Sequence, residues 1–195
     1  MERRRADVRE HIADKFISQG VVPGGLDLNN SQLINQDSGN FEYYTPIEIV
    51  NAAREVMGSI DLDPFSSEEA NRKIKAAVYF SKEIDGLSKC WFGSVWMNHP
   101  FSRKMNNKCI VRLMEEYFHQ NINQACCITF AATSEKWFNP LMDFPQCFLS
   151  PRTNYYLPDG TKKRGVTKGS VVTYLGKNVD KFIEVFDGHF GTVKI

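Results

Sequence analysis

Apolar residues along the chain switch repeatedly between helical spacing and strand-like runs. The first clear helical window is YYTPIEIVNAAREVMG, residues 43–58, where one face collects four apolar side chains: Ile49, Ala53, Val56 and Met57. Thr45 stands where an N-cap is expected, with Pro46 at the first helical position and Glu48 completing a capping box. Because Gly58 supplies a stop signal, the pattern predicts one helix between Thr45 and Gly58.

Strand-like and helical segments continue to alternate toward the middle of the chain. SIDLDP predicts a short strand that ends at Asp63-Pro64, and Ser66 with Glu69 predicts a second capping box for a helix over 67–80. GSVWM, residues 93–97, predicts a strand that the sequence NHPFS interrupts at once. The next predicted helix, 105–118, has its apolar face at Ile110, Leu113, Met114 and Tyr117.

The last third of the chain is rich in strand-like pieces. The run ACCITFA is typical of a strand buried on both faces. QCFLS, NYYL, SVVTYL and GTVKI predict further strands, and NVDKFIEVF predicts one more helix. This alternation predicts an α/β fold with a mostly parallel sheet flanked by helices, in which ligands bind at the carboxyl ends of the strands.

Composition limits the overall organisation. With 195 residues, of which 42% are hydrophobic, the chain suffices for one compact domain and is not disordered throughout. An amphipathic pattern over 2–19, followed by VVPGGLDLNN, predicts an N-terminal helical and loop extension at 1–40 before a main domain at 41–195. No stretch approaches the ~18 apolar residues of a membrane span, and the charged start is unlike a signal peptide. The expectation is a soluble, cytoplasmic protein.

Cysteine and histidine spacing does not favour a metal site. The five cysteines are odd in number and form no Cys-x-x-Cys pair, and the four histidines are scattered. We therefore expect neither disulfides nor a bound metal.

The tetrapeptide Asn98-His99-Pro100-Phe101 is the first candidate for chemistry, because it directly follows the strand at 93–97. The amide oxygen of Asn98 and the backbone carbonyl of His99 are two neighbouring acceptors, which suit an exocyclic amino group. Phe101 can stack on a flat base, a contact worth ~1–3 kcal/mol in single-strand binding proteins. Taken alone, the tetrapeptide is also compatible with a turn that simply ends a strand.

The order of four short motifs resembles the phage-type DNA N6-adenine methyltransferase family. They are Tyr44-Thr45-Pro46, Asp63-Pro64, Asp85-Gly86-Leu87 just upstream of Trp91, and Asn98 to Phe101. The resemblance covers roughly residues 41–195. It implies a Rossmann-like, S-adenosylmethionine-dependent methyltransferase.

The resemblance also implies roles for individual residues. The cofactor would be held by Tyr44, Thr45, Pro46, Asp63, Pro64, Ser66 and Asp85. Asn98, His99, Pro100 and Phe101 would form the catalytic motif. His99 departs from the family pattern, which has proline at this position. The backbone carbonyl survives the change but the fixed φ is lost. The imidazole is either an incidental turn side chain or a ligand or general base.

Two basic stretches accompany these motifs, although the whole chain carries a formal charge of only +1. One contains Arg103 and Lys104, and the other is a predicted DNA-contacting loop near 151–168 with Arg152, Lys162, Lys163, Arg164 and Lys168. Both suit contacts with DNA phosphates, and the alternative is an ordinary solvated surface.

The sequence thus predicts an enzyme that transfers a methyl group from S-adenosylmethionine to N6 of a flipped adenine in double-stranded DNA. By resemblance it is encoded by a bacteriophage and acts in the cytoplasm of a bacterial host. Two alternatives stay open: a methyltransferase acting on RNA or on protein glutamine, and a DNA-binding protein that has lost its catalytic activity. The DNA recognition sequence, the oligomeric state and the role of residues 1–40 are open as well.

Overall fold

Strands and helices alternate along the chain and assemble into one mixed sheet in a computed structural model that describes residues 43–195 except 158 and 163–165. The N-terminal extension predicted at 1–40 lies outside the described residues. The strands are β1 Leu62–Asp63, β2 Val78–Tyr79, β3 Gly93–Met97, β4 Ile122–Phe130, β5 Gln146–Leu149, β6 Ser170–Leu175 and β7 Gly191–Lys194. The helices are α1 Ile47–Met57, α2 Glu68–Ile74, α3 Arg103–Phe118 and α4 Val179–Phe186, with 3-10 segments at Gly86–Ser88 and Lys136–Asp143.

The sheet is only partly parallel, which corrects the predicted mostly parallel arrangement. Its order is β2-β1-β3-β4-β6-β5-β7. The pairs β1–β2, β1–β3 and β3–β4 are parallel, whereas β4–β6, β5–β6 and β5–β7 are antiparallel. Parallel neighbours need a long crossover connection, and α3 provides one between β3 and β4. No described helix joins β5 to β6, and β6 runs antiparallel to β5.

Helix α1 begins one residue later than its sequence signals predict. Pro46 is the N-cap with an extended ψ of 135°, and its carbonyl accepts hydrogen bonds from the amides of Ile49 (3.1 Å) and Val50 (3.4 Å). The prediction that Thr45 caps this helix is therefore wrong, as is the capping box with Glu48, which is exposed. Gly58 ends the helix as predicted, with a φ of 80° that an L side chain rarely adopts.

The predicted helix over 67–80 is too long and its cap is off by one residue. Ser67, not Ser66, is the N-cap, and its Oγ accepts a hydrogen bond from the amide of Ala70 at 3.1 Å. The helix ends where Lys75 adopts a left-handed φ of 53°. The β-branched and aromatic residues that follow then form strand β2, because such side chains fit a sheet better than a helix.

The apolar core lies on both faces of the sheet. Trp96 of β3 joins one buried cluster with residues of α1 and α4, while its neighbours Val95 and Met97 alternate to the opposite face. Every residue of the predicted apolar face of α3 is buried. The strands at 93–97 and 170–175 have the predicted limits. The segment NYYL forms no strand, and Tyr156 within it makes only isolated bridges.

Candidate active site

The polar ends of β1 and β3 lie side by side at one edge of the sheet. Leu62 of β1 pairs in parallel register with Val95 of β3, so both strands point the same way and end at the same edge. Asp63 ends β1, and Asn98 follows β3 directly. The structure therefore brings together two of the motifs that are 35 residues apart in the sequence.

Asp63 is buried without full compensation for its charge. It is 1% exposed, and its Oδ1 accepts a hydrogen bond from the amide of Phe65 at 3.1 Å. Its Oδ2 is buried and finds no partner among the described residues. Burial raises the pKa of Asp63 to about 7, against the lowering effect of the Phe65 amide. The Ser66 hydroxyl opposes the rise as well, although no hydrogen bond of good geometry joins the two side chains.

Two further hydroxyls predicted to bind the cofactor share this unsatisfied state. The Oγ1 of Thr45 and the Oγ of Ser66 are buried and have no hydrogen-bond partner in the described part of the chain. Native proteins leave few buried polar atoms unpaired, so three in these motifs call for an explanation. Tyr44 differs, because its hydroxyl lies 3.0 Å from the Oγ of Ser67 at the start of α2.

The segment Asp85-Gly86-Leu87 packs directly beneath the end of β1. A Cβ on Gly86 would lie 1.9 Å from the carbonyl oxygen of Pro64, so only glycine permits this approach. The buried carbonyl of Gly86 accepts a hydrogen bond from the Trp91 indole at 2.9 Å. Asp85 itself is exposed, and its carboxylate accepts from the Leu87 amide at 3.2 Å.

The side-chain amide of Asn98 has a fixed orientation. Its Nδ2 donates a hydrogen bond of 2.6 Å to the backbone carbonyl of Tyr43. Because that carbonyl can only accept, the amide nitrogen must face it, and the Oδ1 is the remaining acceptor. No residue within the described ranges donates to this oxygen. Asn98 is half-buried, so the oxygen is available at the edge of the sheet.

His99 points away from this acceptor and into the protein. It is 1% exposed, and its Nε2 lies 3.0 Å from the Oδ1 of Asn106 in α3. Burial lowers the pKa of His99 to about 4, against the raising effect of Asn106. The imidazole is therefore neutral at neutral pH, and the tautomer that donates from Nε2 leaves Nδ1 as a buried acceptor without a partner in the described part.

Phe101 belongs to an aromatic cluster beside Asn98. Its ring centroid lies 4.6 Å from that of Phe130, 5.7 Å from that of Tyr155 and 6.5 Å from that of Tyr43. The ring of His99 is perpendicular to that of Phe101, and the two ring centroids are 5.5 Å apart. Phe101 is half-buried, so its ring is held by neighbours rather than projecting freely into solvent.

A family comparison matches the part of the chain that contains these motifs. A family model described as DNA N-6-adenine-methyltransferase (Dam) matches residues 33–173, well over half of the chain. The chain belongs to the DNA N-6-adenine-methyltransferase family. The resemblance predicted from the short motifs is thereby confirmed. No curated protein and no solved structure matches the chain.

The basic residues predicted to contact DNA differ in position and neighbours. Lys104 is exposed near the start of α3, which begins at Arg103. In the loop near 151–168, Arg152 and Lys162 are exposed, and the Nζ of Lys168 lies 5.3 Å from the ring centroid of Phe130. Lys163 and Arg164 lie outside the described residues.

The loop near 151–168 is attached to the first site motif. Tyr44 and Tyr156 exchange two backbone hydrogen bonds, of 2.8 and 2.9 Å. Tyr156 also bridges to Lys162, and the backbone amide of Leu157 donates to the carbonyl of Thr161 at 2.8 Å. The predicted DNA-contacting loop and the predicted cofactor motif are therefore joined by their backbones.

Three residues of the site are not predicted from the sequence. The carbonyl of Tyr43, which orients Asn98, carries no sequence signal because every residue has one. Asn106 is one of two adjacent asparagines in a helix, and nothing in the spacing distinguishes it. Ser102 could have been found, because it caps α3 by accepting from the Met105 amide at 3.2 Å, a usual role for serine.

The described residues contain neither a membrane span nor a metal cluster. No helix there is long and apolar enough to cross a membrane. In the same residues, no group of three or more histidine, cysteine or acidic side chains is placed to hold a metal ion.

Proposed function

We propose that this member of the DNA N-6-adenine-methyltransferase family transfers the methyl group of S-adenosylmethionine to N6 of an adenine flipped out of double-stranded DNA. Family membership supplies the reaction class. The cofactor, the flipped base, the duplex and the roles of individual residues are inferred from the chemistry of the site.

The observation that carries the proposal is a set of unsatisfied buried polar atoms, one on Thr45 just before α1 and two on Asp63 and Ser66 at the end of β1 and just beyond it. Eight buried side-chain atoms lack a partner among the described residues, and three of them belong to Thr45, Asp63 and Ser66. Leaving such an atom unpaired costs about 1–3 kcal/mol, so a polar ligand that pairs all three is favoured. S-adenosylmethionine fits, because its ribose hydroxyls and ammonium group donate and its carboxylate accepts. When bound, it supplies an electrophilic methyl group on a sulfonium sulfur.

Asp63 and Thr45 have complementary tasks in this arrangement. The Asp63 carboxylate accepts hydrogen bonds from the cofactor, and such donors favour its ionised form. Thr45 precedes the start of α1, where backbone amides and the helix dipole favour a carboxylate. Ser66 adds a hydroxyl that can donate or accept. Asp85 is the acceptor proposed for the amino group of the cofactor's adenine.

Asn98 activates the target nitrogen by position. Adenine N6 is a poor nucleophile, since its lone pair is delocalised into the ring. The Oδ1 of Asn98 and the backbone carbonyl of His99 accept its two hydrogens, which favours a more pyramidal nitrogen whose lone pair points at the methyl group. The cofactor would supply the methyl group and leave as the neutral thioether S-adenosylhomocysteine, and the proton lost from N6 would pass to solvent water. Placement and charge complementarity therefore account for the catalysis.

His99 acts through its backbone. Its imidazole is neutral, buried and turned toward Asn106, so it is poorly placed to be a general base for N6. Pro100 follows it and limits the conformations open to its backbone, which aims the carbonyl.

The DNA approaches the edge of the sheet where Asn98 lies. A stacked adenine cannot reach this oxygen, so the base leaves the duplex and rests against Phe101. The exposed cations Lys104, Arg152 and Lys162, together with Lys168, contact phosphates. Arg103, Lys163 and Arg164 are proposed for the same task on their sequence positions.

The test is direct. The full chain is incubated with S-adenosylmethionine labelled in its methyl group and with duplex DNA, single-stranded DNA, duplex RNA or a glutamine-containing protein, and the products are digested. Label in N6-methyldeoxyadenosine from the duplex supports the proposal. Label only in RNA or in glutamine overturns the substrate. Cofactor binding without transfer to any of them identifies a protein that has lost its activity.

A further inference from the structure

An open cleft of about 540 Å³ lies beside the first site motif, between α1 and the end of α2. Glu48 and Arg54 face it from α1, and Lys73 and Lys75 face it from the end of α2. The ring of Tyr156, from the loop near 151–168, forms another wall. Tyr44 and Thr45, proposed above as cofactor-binding residues, also line the cleft, whereas none of the residue roles proposed above uses Lys73 or Lys75.

The cleft is electropositive, since it is lined by three cations and one acid. Arg54 is fixed in place, because its Nη1 donates to Asn51 at 2.7 Å and its Nη2 donates to the carbonyl of Ile74. Lys73 and Lys75 are exposed, and neither forms an ion pair with a residue in the described ranges. The Nζ of Lys73 lies 5.8 Å from the ring centroid of Tyr156. Two lysine charges are thus available for an anion.

The position of the cleft indicates which anion it takes. Tyr156 belongs to the proposed DNA-contacting loop, and its backbone pairs with Tyr44 at the site. Lys73 therefore lies beside the loop that is proposed to hold the duplex, and Lys75 lines the same cleft. Lysines on an open surface suit backbone phosphates, because they act as point charges and need no exact geometry.

We infer that the cleft between α1 and α2 binds backbone phosphates of the DNA substrate, with Lys73 and Lys75 as the contacting cations. This inference rests on the proposed function, and it extends the DNA-binding surface to a face that the two basic stretches of the sequence do not include. The contact is independent of base sequence, so it sets affinity and salt dependence rather than the recognition site.

The experiment measures binding of the full chain to a labelled DNA duplex over a range of salt concentrations. The double variant Lys73→Gln with Lys75→Gln is expected to bind DNA about tenfold more weakly at low salt. A plot of the logarithm of its binding constant against the logarithm of the salt concentration is expected to be less steep, by about 2. The matched control is Lys177→Gln with Lys194→Gln. It removes the same charge from two exposed lysines that do not line the cleft, and it is expected to keep the wild-type slope.

A second variant tests the same charges without removing a lysine. Glu48 is exposed and is the one acid lining the cleft, so Glu48→Gln is expected to tighten DNA binding. Thermal unfolding of each variant confirms that it is folded. A double lysine variant that is folded and keeps the wild-type slope would overturn the inference, as would a Glu48→Gln variant with unchanged affinity. If the double lysine variant bound duplex RNA more weakly than the wild type but bound duplex DNA equally well, the choice of DNA as the ligand would be overturned.

Failure of this inference can be told apart from failure of the proposed function. If the wild type methylates duplex DNA and the lysine variant binds it normally, only the cleft is wrongly assigned. If the wild type neither binds nor methylates duplex DNA, the proposed function fails and the cleft inference falls with it.

Discussion

The Nε2 of His99 lies 3.0 Å from the Oδ1 of Asn106, and this hydrogen bond ties the turn after β3 to the beginning of α3. His99 is neutral, because burial lowers its pKa to about 4. Since the Oδ1 of Asn106 can only accept, the Nε2 of His99 carries the proton and donates it. Where the family pattern has a proline with a fixed φ, this chain has a buried side chain with a hydrogen-bonded partner. The turn is held by packing and a hydrogen bond instead of by a ring.

We predict that Asn106→Ala destabilises the protein. The substitution leaves the Nε2–H of His99 buried without an acceptor, which costs about 1–3 kcal/mol. Chemical denaturation at neutral pH measures the free energy of unfolding. Asn107→Ala is the control, since this neighbouring residue is exposed on the same helix and makes no comparable bond. Equal stability of the two variants would contradict the role of Asn106.

Gly86→Ala is predicted to damage the end of β1. The added Cβ would lie 1.9 Å from the carbonyl oxygen of Pro64, so the two segments must separate. Overpacking of this kind costs about 1–3 kcal/mol, and the shift should also weaken cofactor binding because Asp63 precedes Pro64. Gly169→Ala is the control, since a Cβ added there would meet no atom within 4 Å. Calorimetric titration with S-adenosylmethionine and thermal unfolding test both effects, and wild-type values for Gly86→Ala would refute the close approach.

The raised pKa of Asp63 predicts a pH dependence of stability. Burial favours the protonated form of Asp63 in the folded state. The stability that this protonated carboxyl contributes to the folded protein is therefore fully present below about pH 4 and is lost as the pH rises through about 7. Asp63→Asn mimics the protonated form and does not titrate. In the absence of cofactor, the free energy of unfolding of Asp63→Asn minus that of the wild type should therefore increase by about 4 kcal/mol when the pH is raised from about 4 to about 7. Denaturation at several pH values measures this difference, and a constant difference would show that Asp63 is not perturbed.

Local patterns predict most elements of the fold, and they fail where tertiary pairing decides. The strands at 93–97 and 170–175 follow from short apolar runs, and the buried face of α3 follows from its spacing. The direction of the last strands depends on which strands pair, and no local signal encodes that choice. For the same reason the tyrosines at 155 and 156 read as a strand, although Tyr156 makes only isolated bridges.

The candidate site was predictable as a set of motifs but not as a network. Asp63 ends one predicted strand and Asn98 directly follows another, and ligands are expected at such strand ends in an α/β fold. The structure adds that these two strands, β1 and β3, are neighbours. The contact that orients Asn98 comes from a backbone carbonyl 55 residues away, which no side-chain pattern reveals. The partner of His99 depends on the helix packed against the turn.

The most direct measurement of the central claim is methyl transfer to duplex DNA by the wild type and by Asn98→Ala, together with the affinity of each for S-adenosylmethionine. Loss of the Asn98 oxygen should lower the rate of N6-methyldeoxyadenosine formation about 100-fold or more, because an acceptor aimed at the reacting nitrogen is removed. Cofactor affinity should stay within about threefold, since the atoms proposed to hold it lie on Thr45, Asp63 and Ser66. An Asn98→Ala variant that methylates adenine at the wild-type rate would contradict the account.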